Sequence, residues 1–168
     1  MSTPTPTNDL DARIRVMQII LGAIVLGAVA FLVVAVVVRW QSDQPAPESP
    51  IISYLALGAA LVIAVAYYFV TDALQASQRR GAAGANTRIA WCNAYQTTMI
   101  AGAAMLEGAV FFLLIAYLLE GDLKDNWTPL AAAAGFIVVI ATLFPTRSGL
   151  ERWIAEQQEK LKQEQAGR

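Results

Sequence analysis

Four long apolar segments, separated by short polar ones, dominate the chain. They are residues 19–38, 51–70, 97–119 and 130–144. A bilayer core about 30 Å thick requires roughly 20 helical residues, and the first three segments meet that length. The fourth is marginal, and it either stands upright in the bilayer or is partly re-entrant. We interpret it as a span because Trp127 can anchor it at the interface and Pro129 suits a first helical turn. The pattern therefore predicts an all-α membrane protein with an antiparallel bundle of four transmembrane helices.

Proline and tryptophan positions support these boundaries. No proline lies inside a predicted span, and the four tryptophans lie near predicted membrane edges, as in an aromatic belt: Trp40, Trp91, Trp127 and Trp153. The first segment is longer than the 7–15 apolar residues or so of a cleavable signal peptide. We therefore expect it to be an uncleaved helix.

The lysines and arginines predict the orientation of the chain. Of the twelve basic residues, only Arg39 and Lys124 fall on one predicted side of the membrane. The other ten lie in the N-terminal segment, in the connection 71–96 and in the C-terminal tail. Because positive residues are enriched in cytoplasmic loops, both termini are expected in the cytoplasm. We expect a multi-pass protein of the inner (plasma) membrane.

The chain divides into three predicted regions: a cytoplasmic N-terminal segment (1–15), a transmembrane domain (16–144) and a cytoplasmic amphipathic tail (145–168). Asn8 or Asp9 is a candidate N-cap for the first helix, and the RRGAAGAN stretch in the connection 71–96 reads as a flexible loop. Ser148 and Glu151 fit a capping box for a tail helix. Three placements of that helix stay open, namely on the membrane surface, in a coiled coil with a second copy, or in solvent.

Small residues predict where the helices approach one another. In lipid, helix association depends on close packing of small side chains rather than on the hydrophobic effect. The second span has Ala56, Ala60 and Ala64 at a spacing of four, and the third has Ala104 and Gly108. The same spacing suits contacts within the chain, a homo-oligomer or a larger membrane complex.

Composition narrows the function classes. Apolar residues make up 57% of the 168 residues and charged residues 15%, against about 45–50% and about 25% in soluble domains. The net charge of −1 supplies no basic field for nucleic acid. The chain has no histidine and a single cysteine, Cys92, so a Ser–His–Asp triad and a cysteine-based zinc site are excluded. We expect a protein that is not an enzyme and needs no cofactor or metal.

Glu107 is the one charged residue inside a predicted span. A carboxylate near the membrane centre costs a few kcal/mol even on mild insertion scales. No lysine or arginine of this chain is expected at that depth, so desolvation favours the neutral acid.

Two polar residues share the helical face of Glu107. At about 100° per residue, Gln96 lies about 20° and Asn93 about 40° away from it. Polar groups then run from the cytoplasmic end toward mid-membrane, as in a half-path for protons, although Asn and Gln are also ordinary residues of the headgroup region. Two further readings of Glu107 stay open. It hydrogen-bonds a neighbouring helix, with Thr142, Tyr54 or Tyr67 as candidates, or another protein supplies its charge partner.

The stretch Met99–Leu119, MIAGAAMLEGAVFFLLIAYLL, resembles the carboxylate-bearing helix of rotary ATP synthase c subunits. Those helices place small residues before a membrane-centre acid and aliphatic or aromatic residues after it. The resemblance covers 21 residues and implies that Glu107 binds a proton. As a whole, the chain resembles small four-helix membrane proteins of bacteria.

Two functional hypotheses follow. The first is a helical-bundle subunit or accessory protein of the membrane, with a protonatable Glu107. The alternative is a component of a proton- or ion-coupled channel or carrier that uses Glu107, Gln96 and Asn93.

Overall fold

The computed structural model describes residues 6–42, 51–85, 88–120 and 126–166. Within them the chain forms five helices, and the predicted all-α class is confirmed. The helices are α1 (Pro6–Gln41), α2 (Ile51–Ala85), α3 (Arg88–Glu120), α4 (Thr128–Thr142) and α5 (Arg147–Ala166). Lys124, one of the two basic residues on the predicted outer side, lies outside the described residues.

Three helices, α1, α2 and α3, are long and apolar enough to cross a membrane. Taken together, α4 and α5 are also long and apolar enough to cross a membrane, but their axes are bent by 81° at the break between them. Alone, α4 has 15 residues, which span about 22 Å. Three or four apolar helices are compatible with a multi-pass membrane protein.

The helices extend well beyond the apolar segments. Because α2 continues to Ala85 and α3 begins at Arg88, the prediction of a connecting loop over 71–96 with a flexible RRGAAGAN stretch is wrong, although residues 86 and 87 lie outside the described residues. Alanine, glutamine and arginine are good helix formers, and their number in this stretch outweighs the cost of Gly81 and Gly84. Likewise, α1 begins at Pro6, so neither Asn8 nor Asp9 is its N-cap. Proline is well suited to a first helical turn because its missing N–H needs no partner there.

Helix α3 is the central element of the fold. It packs against α1, α2 and α4, whereas α1 and α2, although consecutive in the chain, barely touch. In the most apolar stretch of α3, 44% of the residues are buried, compared with 17% in the corresponding stretches of α1 and α2. The largest part of the core therefore comes from α3, including Leu106, Leu113 and Tyr117.

The neighbours of α3 run in different directions. The middle of α3 contacts the middle of α2, where Gly102 lies against Tyr67, and the C-terminus of α3 meets the start of α2, so these helices are antiparallel. Helix α1 is parallel to α3, and three contacts share one register of 80 residues. They are Arg13 to Asn93, Gly27 to Glu107, and Phe31 to Phe111.

A buried carboxylate closes one end of the bundle, called here the far end (Ser53, Glu120 and Asn126). The backbone N–H of Ser53 donates to Glu120 Oε2 at 2.8 Å. Asn126 Nδ2 donates to Ser53 Oγ at 2.8 Å and to the Glu120 carbonyl oxygen at 3.3 Å. The first N–H groups of a helix lack hydrogen-bond partners inside the helix. Glu120 provides such a partner for the Ser53 N–H of α2.

Helix α5 packs across the opposite end, called here the tail end. Leu150 and Gln157 are buried there, so α5 contacts its own chain. Thr146 Oγ1 accepts the N–H of Gly149 at 3.1 Å, which makes Thr146 the capping residue; the predicted capping box of Ser148 and Glu151 is wrong. The Glu151 carboxylate instead forms ion pairs with Arg88 at 3.1 Å and with Arg147 at 3.4 Å.

The four tryptophans divide into two kinds. Trp40 and Trp127 are exposed, as an interfacial belt requires. Trp91 is buried, and its ring meets that of Trp153 edge to face, with centroids 6.4 Å apart. The belt interpretation therefore fits the first pair, whereas the second pair joins α3 to α5.

Candidate functional site

Glu107 lies on the side of α3 that faces α1. Gly27 is beside it, and a Cβ atom added to Gly27 would lie 3.8 Å from Glu107 Oε1. The side chain is partly exposed. Within the described residues, its carboxyl group has neither a hydrogen bond nor an ion pair. Glu107 is thus an acid on the bundle surface that the described chain leaves unsatisfied.

The three candidate hydrogen-bond partners of Glu107 are engaged or directed elsewhere. Thr142 donates its hydroxyl to the Val139 carbonyl oxygen of its own helix at 2.6 Å. Tyr54 is exposed on α2. Tyr67 packs on Gly102, which is about 140° around α3 from Glu107.

Small exposed residues lie near Glu107 on both helices. On α1 they are Ala23 and Gly27, and on α3 they are Ala104 and Gly108. Each pair is spaced by four residues, so each presents one flat strip of helix surface. No atom of the described residues lies within 4 Å of a Cβ atom added to Gly108. We call this surface, with Glu107 at its centre, the Glu107 face.

Asn93 and Gln96 form a separate feature nearer the tail end. Asn93 Oδ1 accepts a hydrogen bond of 2.6 Å from Arg13 Nη1. Both residues line an open groove of about 440 Å³ whose other lining residues are Thr97, Ile100 and Ala101. Glu107 does not line it and lies eleven positions after Gln96, about 16 Å along the helix. The structure places the three predicted site residues on one side of α3 without joining them into one site.

A cavity of about 200 Å³ lies on the other side of α3, near the tail end. Four elements build its wall: α2, α3, α5 and the turn before α5. Among the described residues, no charged side chain lines it. Its lining residues are Tyr67, Thr71, Gln75, Tyr95, Thr98, Met99, Leu143 and Trp153.

Sequence reasoning missed this cavity. It assigned Thr71, Gln75 and Tyr95 to a connecting loop, whereas the structure places all three on helices. A signal was present, because Tyr95 and Thr98 are three residues apart and therefore share one face of any helix through this region. The contribution of Trp153 depends on the bend before α5, which has no comparable local signal.

The candidate chemistry of the chain is limited in other respects. Cys92 is buried and free. Within the described ranges, no group of three or more His, Cys, Asp or Glu side chains could hold a metal ion. Comparison with protein-family models, with curated proteins and with solved structures finds no match to this chain.

Proposed function

We propose that this chain is a multi-pass protein of the inner (plasma) membrane with four spans and both termini in the cytoplasm. It acts as a subunit or accessory protein that binds a transmembrane helix of a partner at the Glu107 face. The observation that carries the proposal is the Glu107 carboxyl group, which lies partly exposed among small residues and has no partner within the described chain.

The membrane assignment rests on the outer surface of the helices. Large apolar side chains are exposed along α1 and α2, among them Ile19, Leu26, Leu61, Val62 and Phe69, each about two-thirds exposed or more. A soluble protein rarely exposes so extended an apolar surface, whereas lipid chains accept it. The fourth span is α4, which ends at the break before α5.

The Glu107 face has the features of a helix-docking surface in lipid. Exposed small residues let a partner backbone approach closely, and Glu107 between them supplies a polar group to be satisfied. A lone acid in hydrocarbon is costly, so a partner helix that donates a hydrogen bond or carries a basic side chain at this depth gains from covering it.

Ion coupling has less support from the geometry. A proton path requires polar groups or water between the cytoplasm and Glu107. The groove at Asn93 and Gln96 extends along α3 as far as Ala101, and Glu107 is not among its lining residues. On the face between them the side chains are apolar, with Ile100, Ala103 and Ala104.

The size of the assembly tests the proposal. We expect Gly108→Leu and Glu107→Ala to reduce the mass of the complex extracted gently from native membranes, as measured by light scattering. Gly58→Leu is the matched control, because Gly58 is an exposed glycine of α2 with nothing within 4 Å of an added Cβ. An unchanged mass in both Glu107-face variants would contradict the proposal.

Glu107→Gln and carbodiimide labelling separate the two functional hypotheses. Carbodiimides attack protonated carboxyl groups in apolar surroundings. If Glu107→Gln assembles fully but abolishes an ion flux, and if labelling of the native chain falls as pH rises, ion coupling replaces the docking proposal. If labelling increases when the partner is removed, the partner covers Glu107, as proposed.

A further inference from the structure

The cavity beside Tyr67 offers hydrogen-bond donors that the chain itself does not use. The hydroxyl groups of Tyr67 and Tyr95 have no hydrogen-bond partner within the described residues. Gln75 uses its Oε1 atom to accept from Gln157 Nε2 at 3.2 Å, which leaves the Gln75 amide N–H groups free to donate. The three residues that carry these donors lie on two helices and line one small space.

The other polar groups of the wall are already engaged. Thr71 donates its hydroxyl to the Tyr67 carbonyl oxygen at 2.6 Å, and Thr98 donates to the Ala94 carbonyl oxygen at 3.0 Å. Because both hydroxyl protons are committed to the backbone, these groups add no donors. The unused hydrogen-bonding capacity of the wall is thus mainly that of the two tyrosines and Gln75, and a complementary occupant presents acceptors.

The size and surface of the cavity further restrict the occupant. A cavity of about 150 Å³ is enough to bind benzene, so about 200 Å³ suits one ring with a few small substituents. The rings of Tyr67, Tyr95 and Trp153, with Met99 and Leu143, supply apolar and aromatic walls. Since no charged side chain of the described part of the chain lines the space, a charged occupant would lose its hydration without compensation.

We propose that this cavity binds an uncharged, ring-sized molecule that carries carbonyl oxygens, of the quinone class. The carbonyl oxygens accept hydrogen bonds from Tyr67 and Tyr95, and the ring lies among the aromatic side chains. The site is independent of the Glu107 face, because the two lie on different sides of α3.

Helix α5 forms one wall of this site through Trp153. The Trp153 ring meets the Tyr95 ring at a centroid distance of 5.3 Å, and Gln157 reaches Gln75. An ion pair of 2.9 Å between Arg79 and Glu164 holds the C-terminal part of α5 on α2. The full chain, with α5 docked, is therefore the form that binds.

Calorimetric titration of the full chain in nanodiscs tests the proposal, with duroquinone as the probe and empty nanodiscs as the reference. We expect saturable binding of duroquinone and much weaker binding of tetramethylbenzene, which has the same ring and methyl groups but no acceptors. Tyr67→Phe and Tyr95→Phe should each raise the Kd by about two- to tenfold, the range for one lost hydrogen bond. Tyr68→Phe is the matched control, since Tyr68 is exposed on α2.

Three outcomes would overturn the proposal. Equal binding of the acceptor-free ring would show that hydrogen bonding plays no part. Equal Kd values for Tyr67→Phe, Tyr95→Phe and Tyr68→Phe would place the probe elsewhere. Binding of duroquinone in nanodiscs of ether-linked lipids but not of ester-linked lipids would assign the cavity to the ester carbonyls of a phospholipid. The first comparison uses the unaltered chain, so it stands even if a variant fails to fold.

Discussion

The two acids of α3, Glu107 and Glu120, lie on the same helix and are treated differently by the fold. Glu120 is buried, and its carboxylate accepts the Ser53 N–H. Glu107 is partly exposed and has no partner within the described chain. The first acid therefore stabilises the bundle, whereas the second is left available to something outside it.

The sides of α3 show the same contrast. Toward α2, Gly102 permits close contact with Tyr67, and the nearby cavity has a defined wall. On the Glu107 face, glycine leaves open surface at Gly108. Gly102 is therefore part of the packing between α2 and α3, whereas the surface at Gly108 is open to a partner.

The largest effect on stability is expected for a substitution at Gly102. A Cβ atom there would lie 2.7 Å from Tyr67 Cε2, so Gly102→Ala forces the ring or the helices to move, and overpacking of this kind costs about 1–3 kcal/mol. We expect a lower Tm in detergent, measured by circular dichroism. Gly108→Ala is the control, since it carries the same gain in helix propensity without a clash. Equal Tm values for the two variants would show that α2 and α3 are not packed closely here.

The next effect is at Glu120. Glu120→Ala removes the acceptor for the Ser53 N–H, and loss of a helix cap costs about 0.5–2 kcal/mol. We expect denaturant or thermal unfolding to show this loss. Glu120→Gln keeps an acceptor oxygen and should lose less. If both variants were as stable as the native chain, the buried carboxylate would not be a cap.

Glu107→Leu should have a smaller effect, in the opposite direction, on the isolated chain. The substitution removes an unsatisfied polar group from an apolar surface, which we expect to leave the free energy of unfolding unchanged or raise it by up to about 1 kcal/mol. Unfolding in lipid or detergent measures it beside Glu120→Ala. A loss of stability comparable to that of Glu120→Ala would mean that Glu107 is a structural group of this bundle.

The smallest effect is expected for the ion pairs of α5. Arg88→Ala removes the exposed ion pair of 3.1 Å between Arg88 and Glu151 of α5, and exposed pairs contribute about 0.2–1 kcal/mol. We expect α5 to be cleaved more readily by protease, and the difference from the native chain to shrink at high salt. Arg152→Ala is the control, because Arg152 is exposed and no ion pair of it is found among the described residues. Equal cleavage of the two variants would show that this ion pair does not hold α5 on the bundle.

The length and apolarity of the first three segments were sufficient to predict three of the helices. Their true ends were not predictable from hydropathy, because helix formation near residues 71–96 depends on backbone hydrogen bonding and propensity rather than on apolar side chains. Periodicity also placed Asn93, Gln96 and Glu107 on one helical face. It could not show that Arg13 binds Asn93 while Glu107 faces Gly27, since both contacts come from a helix about 80 residues earlier.

What the sequence alone determined is the helical, membrane-compatible character of the chain and the isolation of Glu107 as an acid in an apolar stretch. Both are local properties, because hydropathy and helix propensity act over a few turns. Only the tertiary structure decided that α3 is central, that Glu120 caps α2, and that the bend before α5 brings Trp153 to Tyr67 and Tyr95. These results depend on which helix faces meet, and that choice is made by packing among residues far apart in the chain.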